Sequence, residues 1–231
     1  MTTRIPAVLA EALDGEARPQ SPFPWTKQPW LDQMHDLAEV LSLLDRLPAK
    51  VSRLSTRDAV AAELNAGRVL PAFIAAMVWG WGTTAGVGAL RTRWILTQTR
   101  ARGTDAVSEV LDPSVVDRLE AGAKSAHADG ALEAFRLMNN EGRVLHLRSS
   151  YFTKWLYFTS AVDGPDDPNA APILDDRIVA WLKDPGGIPL EKNRTDSYGE
   201  YLELLASWGE PYGRTRAQVE TEIFRLATGR G

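Results

Sequence analysis

Residues 149–158 read SSYFTKWLYF, five aromatic side chains around one lysine, with no acidic residue within eight positions of Lys154 on either side. An unpaired ammonium is expensive to bury, and desolvation favours its neutral form. A neutral amine at pH 7 is a nucleophile. On a helix turning about 100° per residue, Phe152, Trp155, Leu156 and Thr159 share one face and Lys154 lies nearly opposite. Its neighbours at i−3, i+3 and i+4 are Tyr151, Tyr157 and Phe158, so the helix is apolar almost all round and therefore central. The plainer alternative is a lysine whose stem packs on the aromatics while its head reaches water. A second stretch, APILDDRIVAWL (171–182), puts Asp175 where a helix N-cap belongs, with Ile178, Val179 and Leu182 packing inward. Taken alone, that aspartate needs no role beyond capping.

Other helices must position these two. LDQMHDLAEVLSLLDRL spaces Leu31, Met34, Leu37, Ala38, Leu41, Leu44 and Leu47 as one helix that Pro48 stops. STRDAVAAELNAG reads as a second, with Ser55 or Thr56 as its cap and Gly67 as its stop. The most apolar stretch, VLPAFIAAMVWGWGTTAGVGAL, predicts a buried helix opening into a loop around Gly80 to Gly88. Residues 104–140 read as two or three short helices. Strand alternation is weak throughout, and no Asn-Gly or Asp-Gly signal joins two alternating runs. The expected fold is all-α, preceded over residues 1–30 by a Pro-rich arm or wrapping segment.

Composition narrows the chemistry. With 231 residues, 44% apolar and 24% charged, the chain can bury a real core. It has no cysteine, which removes disulfides, Cys-zinc sites and iron–sulfur clusters. His35, His127 and His146 are scattered without ligand spacing, so neither a metal nor a cofactor is expected. No segment approaches the roughly 20 apolar residues that span a bilayer, and the start lacks a signal-peptide pattern. No membrane partner and a cytoplasmic, nucleoid-associated location are expected. The net charge of −4 argues against a broad nucleic-acid surface but not against a local basic patch. Such a patch exists: RTRWILTQTRARG carries Arg91, Arg93, Arg100 and Arg102 with no acid between them, and GRVLHLR adds Arg143, His146 and Arg148. Arginines on a helix can equally be a solvated face.

The lysine helix, then about twenty residues, then Pro-Ile-Leu-Asp at a helix start resembles the helix-hairpin-helix DNA glycosylase superfamily, most closely its bacterial 8-oxoguanine-glycosylase-fold branch. FTKWLYF resembles that branch's F-x-T-K-x-L-Y-F helix, and ILDDRIVAWL its I-L-D-x-R-V segment. YGEYLELLASWGEPYGRTRAQVETEIF (198–224) resembles its Y-x-x-Y…W…V-E-x-x-L-F tail. The likeness covers about residues 70–226. It implies that residues 31–231 form a glycosylase-like helical domain of two lobes, with a cleft lined by the Lys154 helix and the Asp175 helix start.

The resemblance further implies extrusion of a modified base from double-stranded DNA, 8-oxoguanine first among the candidates. It assigns Lys154 to attack on C1′ and Schiff-base formation, with strand cleavage as a sequel, and Asp175 to stabilising positive charge and positioning the amine. Trp79, Trp81, Phe152, Trp155 and Trp208 are the candidates to stack on the base. Arg91, Arg93, Arg148, Ser149 and Ser150 are the candidates to hold the DNA backbone. The chain is expected to act as a monomer. One departure concerns the hairpin before the lysine: His146 and Arg148 stand where the family has glycines that let a phosphate approach. Two other functions fit the residues, a non-catalytic helical DNA-binding protein and a Schiff-base enzyme acting on a small carbonyl compound.

Overall fold

A computed structural model describes residues 4–84, 86–102 and 104–229. In chain order the elements are α1 (Ala7–Asp14), β1 (Phe23–Pro24), α2 (Gln28–Gln33), α3 (Ala38–Arg46), β2 (Lys50–Val51), α4 (Arg53–Asn65), α5 (Val69–Trp81), α6 (Val87–Thr97) and α7 (Thr104–Ser108). There follow α8 (Pro113–Ala128), α9 (Ala131–Asn139), α10 (Ser149–Ser160), α11 (Asp176–Lys183), α12 (Thr195–Gly209), a 3-10 turn (Glu210–Tyr212) and α13 (Arg216–Thr228). The fold is all-α, apart from a two-stranded antiparallel ribbon pairing Phe23 with Val51 and Pro24 with Lys50. Among the described residues no helix is long and apolar enough to cross a membrane.

Several local expectations are corrected. The Pro-rich start wraps the body but is not wholly extended: α1 buries Leu9 and Leu13 and packs on α13. The single helix expected over 31–47 is two, α2 and α3, broken at Met34–Leu37. The break delivers Asp36 to Arg93, whose Nη1 and Nη2 donate to its two carboxylate oxygens at 2.8 and 2.9 Å. The cap of α4 is Ser52, three residues earlier than Ser55, and the two side chains form a reciprocal capping box. Gly67 does end that helix, in the left-handed region at φ +73°.

The lysine helix α10 is the hub, packing on α4, α5, α8 and α9. Phe152, Trp155, Leu156, Tyr157 and Phe158 are all buried on it. The carboxylate helix α11 is reached by an extended run, Ala170 to Leu174, that passes through the core without regular structure. Backbone groups buried there must find partners among side chains. Ser160 Oγ accepts from the Ala171 amide at 2.8 Å, and Thr153 Oγ1 from the Leu174 amide at 3.2 Å. The Tyr198 hydroxyl donates to the Pro172 carbonyl at 2.8 Å, and that of Tyr201 to the Ile173 carbonyl at 2.9 Å. The tyrosines of YGEY and the threonine of FTK are thus the supports on which Asp175 rests.

A second long-range tie joins α4 to α13. Arg53 Nη2 lies 2.9 and 2.7 Å from the two carboxylate oxygens of Glu220, both side chains almost wholly buried. The guanidinium also sits 4.8 Å from the Tyr157 ring centroid and 5.4 Å from that of Trp79. Removing one member of a buried pair strands the other charge. Glu220→Ala is therefore expected to lower the unfolding free energy by about 3–5 kcal/mol. Equilibrium denaturation checks this, and a loss below about 1 kcal/mol, the scale of an exposed pair, would contradict the structural role.

Candidate active site

Lys154 leaves α10 with its stem against Gly80 of α5, where an added Cβ would lie 2.9 Å from the lysine Cδ. That missing side chain lets the aliphatic stem pass. The amine then donates to the Ser150 carbonyl at 2.6 Å, the i−4 position of its own helix, and to Asp175 Oδ2 at 3.1 Å. Its environment is therefore not purely aromatic: twenty-one residues of chain separate it from the carboxylate that the fold presses against it. The lysine side chain is 8% exposed and that of Asp175 13%.

Asp175 divides its oxygens. Oδ1 accepts from the amides of Arg177 at 3.1 Å and Ile178 at 3.2 Å, capping α11, while Oδ2 holds the amine. Burial alone would raise this carboxyl. The Lys154 ammonium, its hydrogen bond, and the Ile178 and Arg177 amides outweigh burial and hold it below the ordinary carboxylate range. The pair is a buried amine with a charged carboxylate in contact, an arrangement able to deliver a nucleophile and to balance positive charge on a carbon attacked by it.

Next to the pair lies a cavity of about 560 Å³. Trp81, Arg91 and Trp94 line it from α5 and α6, with Arg100 and Arg102 beyond them; Arg143 to His146 and Arg148 contribute from the hairpin loop; Ser150, Tyr151, Asp176 and Lys192 complete it. Tyr151 belongs to both places, since its ring lines the cavity and sits 5.2 Å from the lysine Nζ. It stacks on Trp81 at 4.1 Å with 24° between the planes, and Arg91 lies 5.5 Å from the Trp81 ring. Lys154 and Asp175 are not themselves in the lining, so the amine is covered rather than open to the cavity.

The loop from Asn140 to Arg148 joins α9 to α10 as a hairpin. His146 takes the left-handed conformation at φ +69°, a glycine-like geometry held by a bulky residue. Its Nδ1 accepts from Arg100 Nε at 3.3 Å, and its ring meets Trp94 edge-on. Burial, then Arg100 and Arg148, push this imidazole below its ordinary value. Gln98 latches the same loop, its Oε1 accepting from the Leu145 amide at 2.9 Å and its Nε2 donating to the Leu145 carbonyl at 3.3 Å.

Of the residues expected at a base pocket, only Trp81 lines the cavity. Phe152, Trp155 and Trp208 are core: Phe152 packs edge-on against Phe135, and Trp155 Nε1 donates to the Leu119 carbonyl at 3.0 Å. Trp79 is buried too, bonded to Gln20 and edge-on to Phe158. Of the expected backbone contacts, Arg91, Arg148 and Ser150 face the cavity. Arg93 does not, being committed to Asp36 and to the carbonyls of Ala106 and Glu109. Ser149 is fully buried and donates to Asn193. Tyr151, Trp94 and Lys192 line the cavity without having been singled out as site residues. Tyr151 carried a signal, its i−3 spacing from Lys154, whereas Lys192 carried none. Among the described residues, no group of three or more His, Asp or Glu could hold a metal ion.

Residues 16–224 match the family described as "Putative 8-oxoguanine DNA glycosylase OGG-like protein". No curated protein and no solved structure matches the chain.

The depressed carboxyl has a consequence for stability. Its contribution is present above the ordinary aspartate value of 3.8 and is lost as pH falls through the lower folded value. Asp175→Asn keeps a capping side chain but drops the charge, so a loss of about 1.5–3 kcal/mol is expected near neutral pH. Denaturation of both proteins across the acid range is the check. The gap should narrow below that pH; a gap independent of pH would show that the ion pair contributes nothing.

Proposed function

We propose that this chain, which belongs to the OGG-like family matched over residues 16–224, is a DNA glycosylase that removes a modified base through attack by Lys154. The observation carrying the reading is the buried Lys154–Asp175 contact at 3.1 Å beside an aromatic, arginine-rimmed cavity. A volume of about 560 Å³ lies within the usual range for small-ligand sites and accommodates a flipped nucleobase. Arg91, Arg100, Arg102, Arg143 and Arg148 concentrate positive charge at the rim of a chain whose net charge is −4, which suits a polyanionic substrate.

In this mechanism the Lys154 ammonium, released from the carboxylate, gives up the proton that the departing base takes up, and the free amine forms a bond to C1′ as the bond from C1′ to the base breaks. The base leaves with the electron pair and takes up that proton. Loss of a proton from the nitrogen and opening of the sugar at O4′ give a Schiff base. Asp175 offsets the positive charge on the sugar and, through its grip on α11, stays in register while the amine moves. Loss of a proton from C2′ to solvent then forms the C2′–C3′ double bond as the phosphate leaves with the C3′–O electron pair, which breaks the strand. Tyr151 and Trp81 must part for the amine to reach a sugar. 8-Oxoguanine is the base we place first.

A second reading, binding without chemistry, draws on the same covered amine and rim of arginines. Borohydride trapping with a panel of duplexes, each carrying one altered base, separates them. The enzyme reading expects a covalent adduct with at least one lesion duplex. Lys154→Gln should abolish trapping with DNA affinity nearly intact, and Asp175→Asn should slow excision by about 10² or more. No adduct with any lesion duplex, or full excision by Lys154→Gln, would remove the covalent mechanism.

A further inference from the structure

Beside the buried Lys154–Asp175 pair stands a second lysine–aspartate pair made by the next acid along, Asp176. Lys192 Nζ forms an ion pair with Asp176 and lies 3.3 Å from Ser150 Oγ. Both lysines therefore converge on Ser150, Lys154 at its carbonyl and Lys192 at its hydroxyl. Their surroundings differ: Lys192 and Asp176 line the cavity, and the Asp176 side chain is 76% exposed.

The main chain under Lys192 is fixed independently of that ion pair. Asn193 is held from two sides, its side-chain oxygen accepting from Ser149 at 2.9 Å and its carbonyl from Asn139 at 2.9 Å. The Arg194 amide closes a turn onto the Glu191 carbonyl at 2.9 Å. The segment is thereby locked to the end of α9 and the start of α10. Two anchors, the buried Ser149 and the half-buried Asn139, position a cation whose own partner is a solvent-exposed carboxylate. Exposed pairs contribute little net free energy, so a better anion can displace Asp176 at small cost.

We infer that Lys192, with the Ser150 hydroxyl, binds a phosphodiester flanking the nucleotide that enters the cavity, and that Asp176 stands in for that phosphate in the free protein. This deepens the glycosylase reading and rests on it for the identity of the ligand. The shared contact puts the phosphate ligand on the same residue, Ser150, whose carbonyl orients the Lys154 amine. A sugar brought to Lys154 thus carries its neighbouring phosphate to Lys192. Asp176 also repels phosphate until Lys192 exchanges partners, so it weakens binding to any duplex.

The test is affinity of the full chain for undamaged and lesion duplexes across a salt series, by anisotropy. Lys192→Met should make the slope of log affinity against log salt shallower by roughly one on both duplexes. Lys192→Arg should restore the wild-type slope. Asp176→Asn should tighten binding to both duplexes by roughly fivefold. An unchanged slope in Lys192→Met, or binding left alone or weakened by Asp176→Asn, overturns the inference. That failure is separable from failure of the glycosylase reading. Wild-type trapping with an unchanged Lys192→Met slope sinks only the phosphate ligand; a changed slope without wild-type trapping sinks only the chemistry.

Discussion

A single carboxylate, Asp175, ties a helix start to the candidate site. One of its oxygens terminates α11 by accepting two backbone amides, and the other holds the lysine amine of α10. The helix cap fixes where the carboxylate stands, and the amine's bond to Ser150 fixes how it is approached. The carboxylate could not be moved without disturbing the start of α11. The run before Asp175 has no ladder of its own, so it depends on hydroxyls from α10 and α12 for its backbone partners. Four side chains on two helices replace what a neighbouring strand would otherwise supply.

The lysine–aspartate pair was legible in the sequence because its signals are local. A lysine among aromatics and an aspartate opening an amphipathic helix can each be read in a short window, and the family's motifs set them in order. What each aromatic or arginine faces is not local. Arg91 and Arg93 are two residues apart on α6, hence about 200° apart around the helix, and one rims the cavity while the other is buried on Asp36. The break between α2 and α3 was hidden because apolar spacing continues across it; a distant partner for Asp36 decides it. Trp155 and Trp208 have the chemistry to stack on a base, yet the core claims them. The two-residue ribbon is too short for any alternation to announce it.

The hairpin shows how a departure from a family pattern can be absorbed. A glycine-like backbone angle is kept at His146 although the residue is bulky, and the loop is held by Gln98 and by the contacts of His146 with Arg100 and Trp94. Side chains do here what a flexible backbone does elsewhere. The exchange also alters what the loop presents: imidazole and guanidinium groups replace bare amides, so a phosphate would meet charge and ring faces rather than a nest of N–H donors. With Arg143 and Arg148 on the same loop, this edge is locally cationic in an acidic chain.

The supports of the Asp175 run have one further consequence, for the order in which a ribosome makes them. Tyr198 and Tyr201 follow the carboxylate, while Thr153 and Ser160 precede it. Translation delivers amine and carboxylate well before the tyrosines that fasten the segment between them. A nascent chain that has emerged only as far as α11 carries both members of the pair with two of the run's four supports missing. The run before Asp175 therefore lacks two of its four backbone partners until α12 has been made.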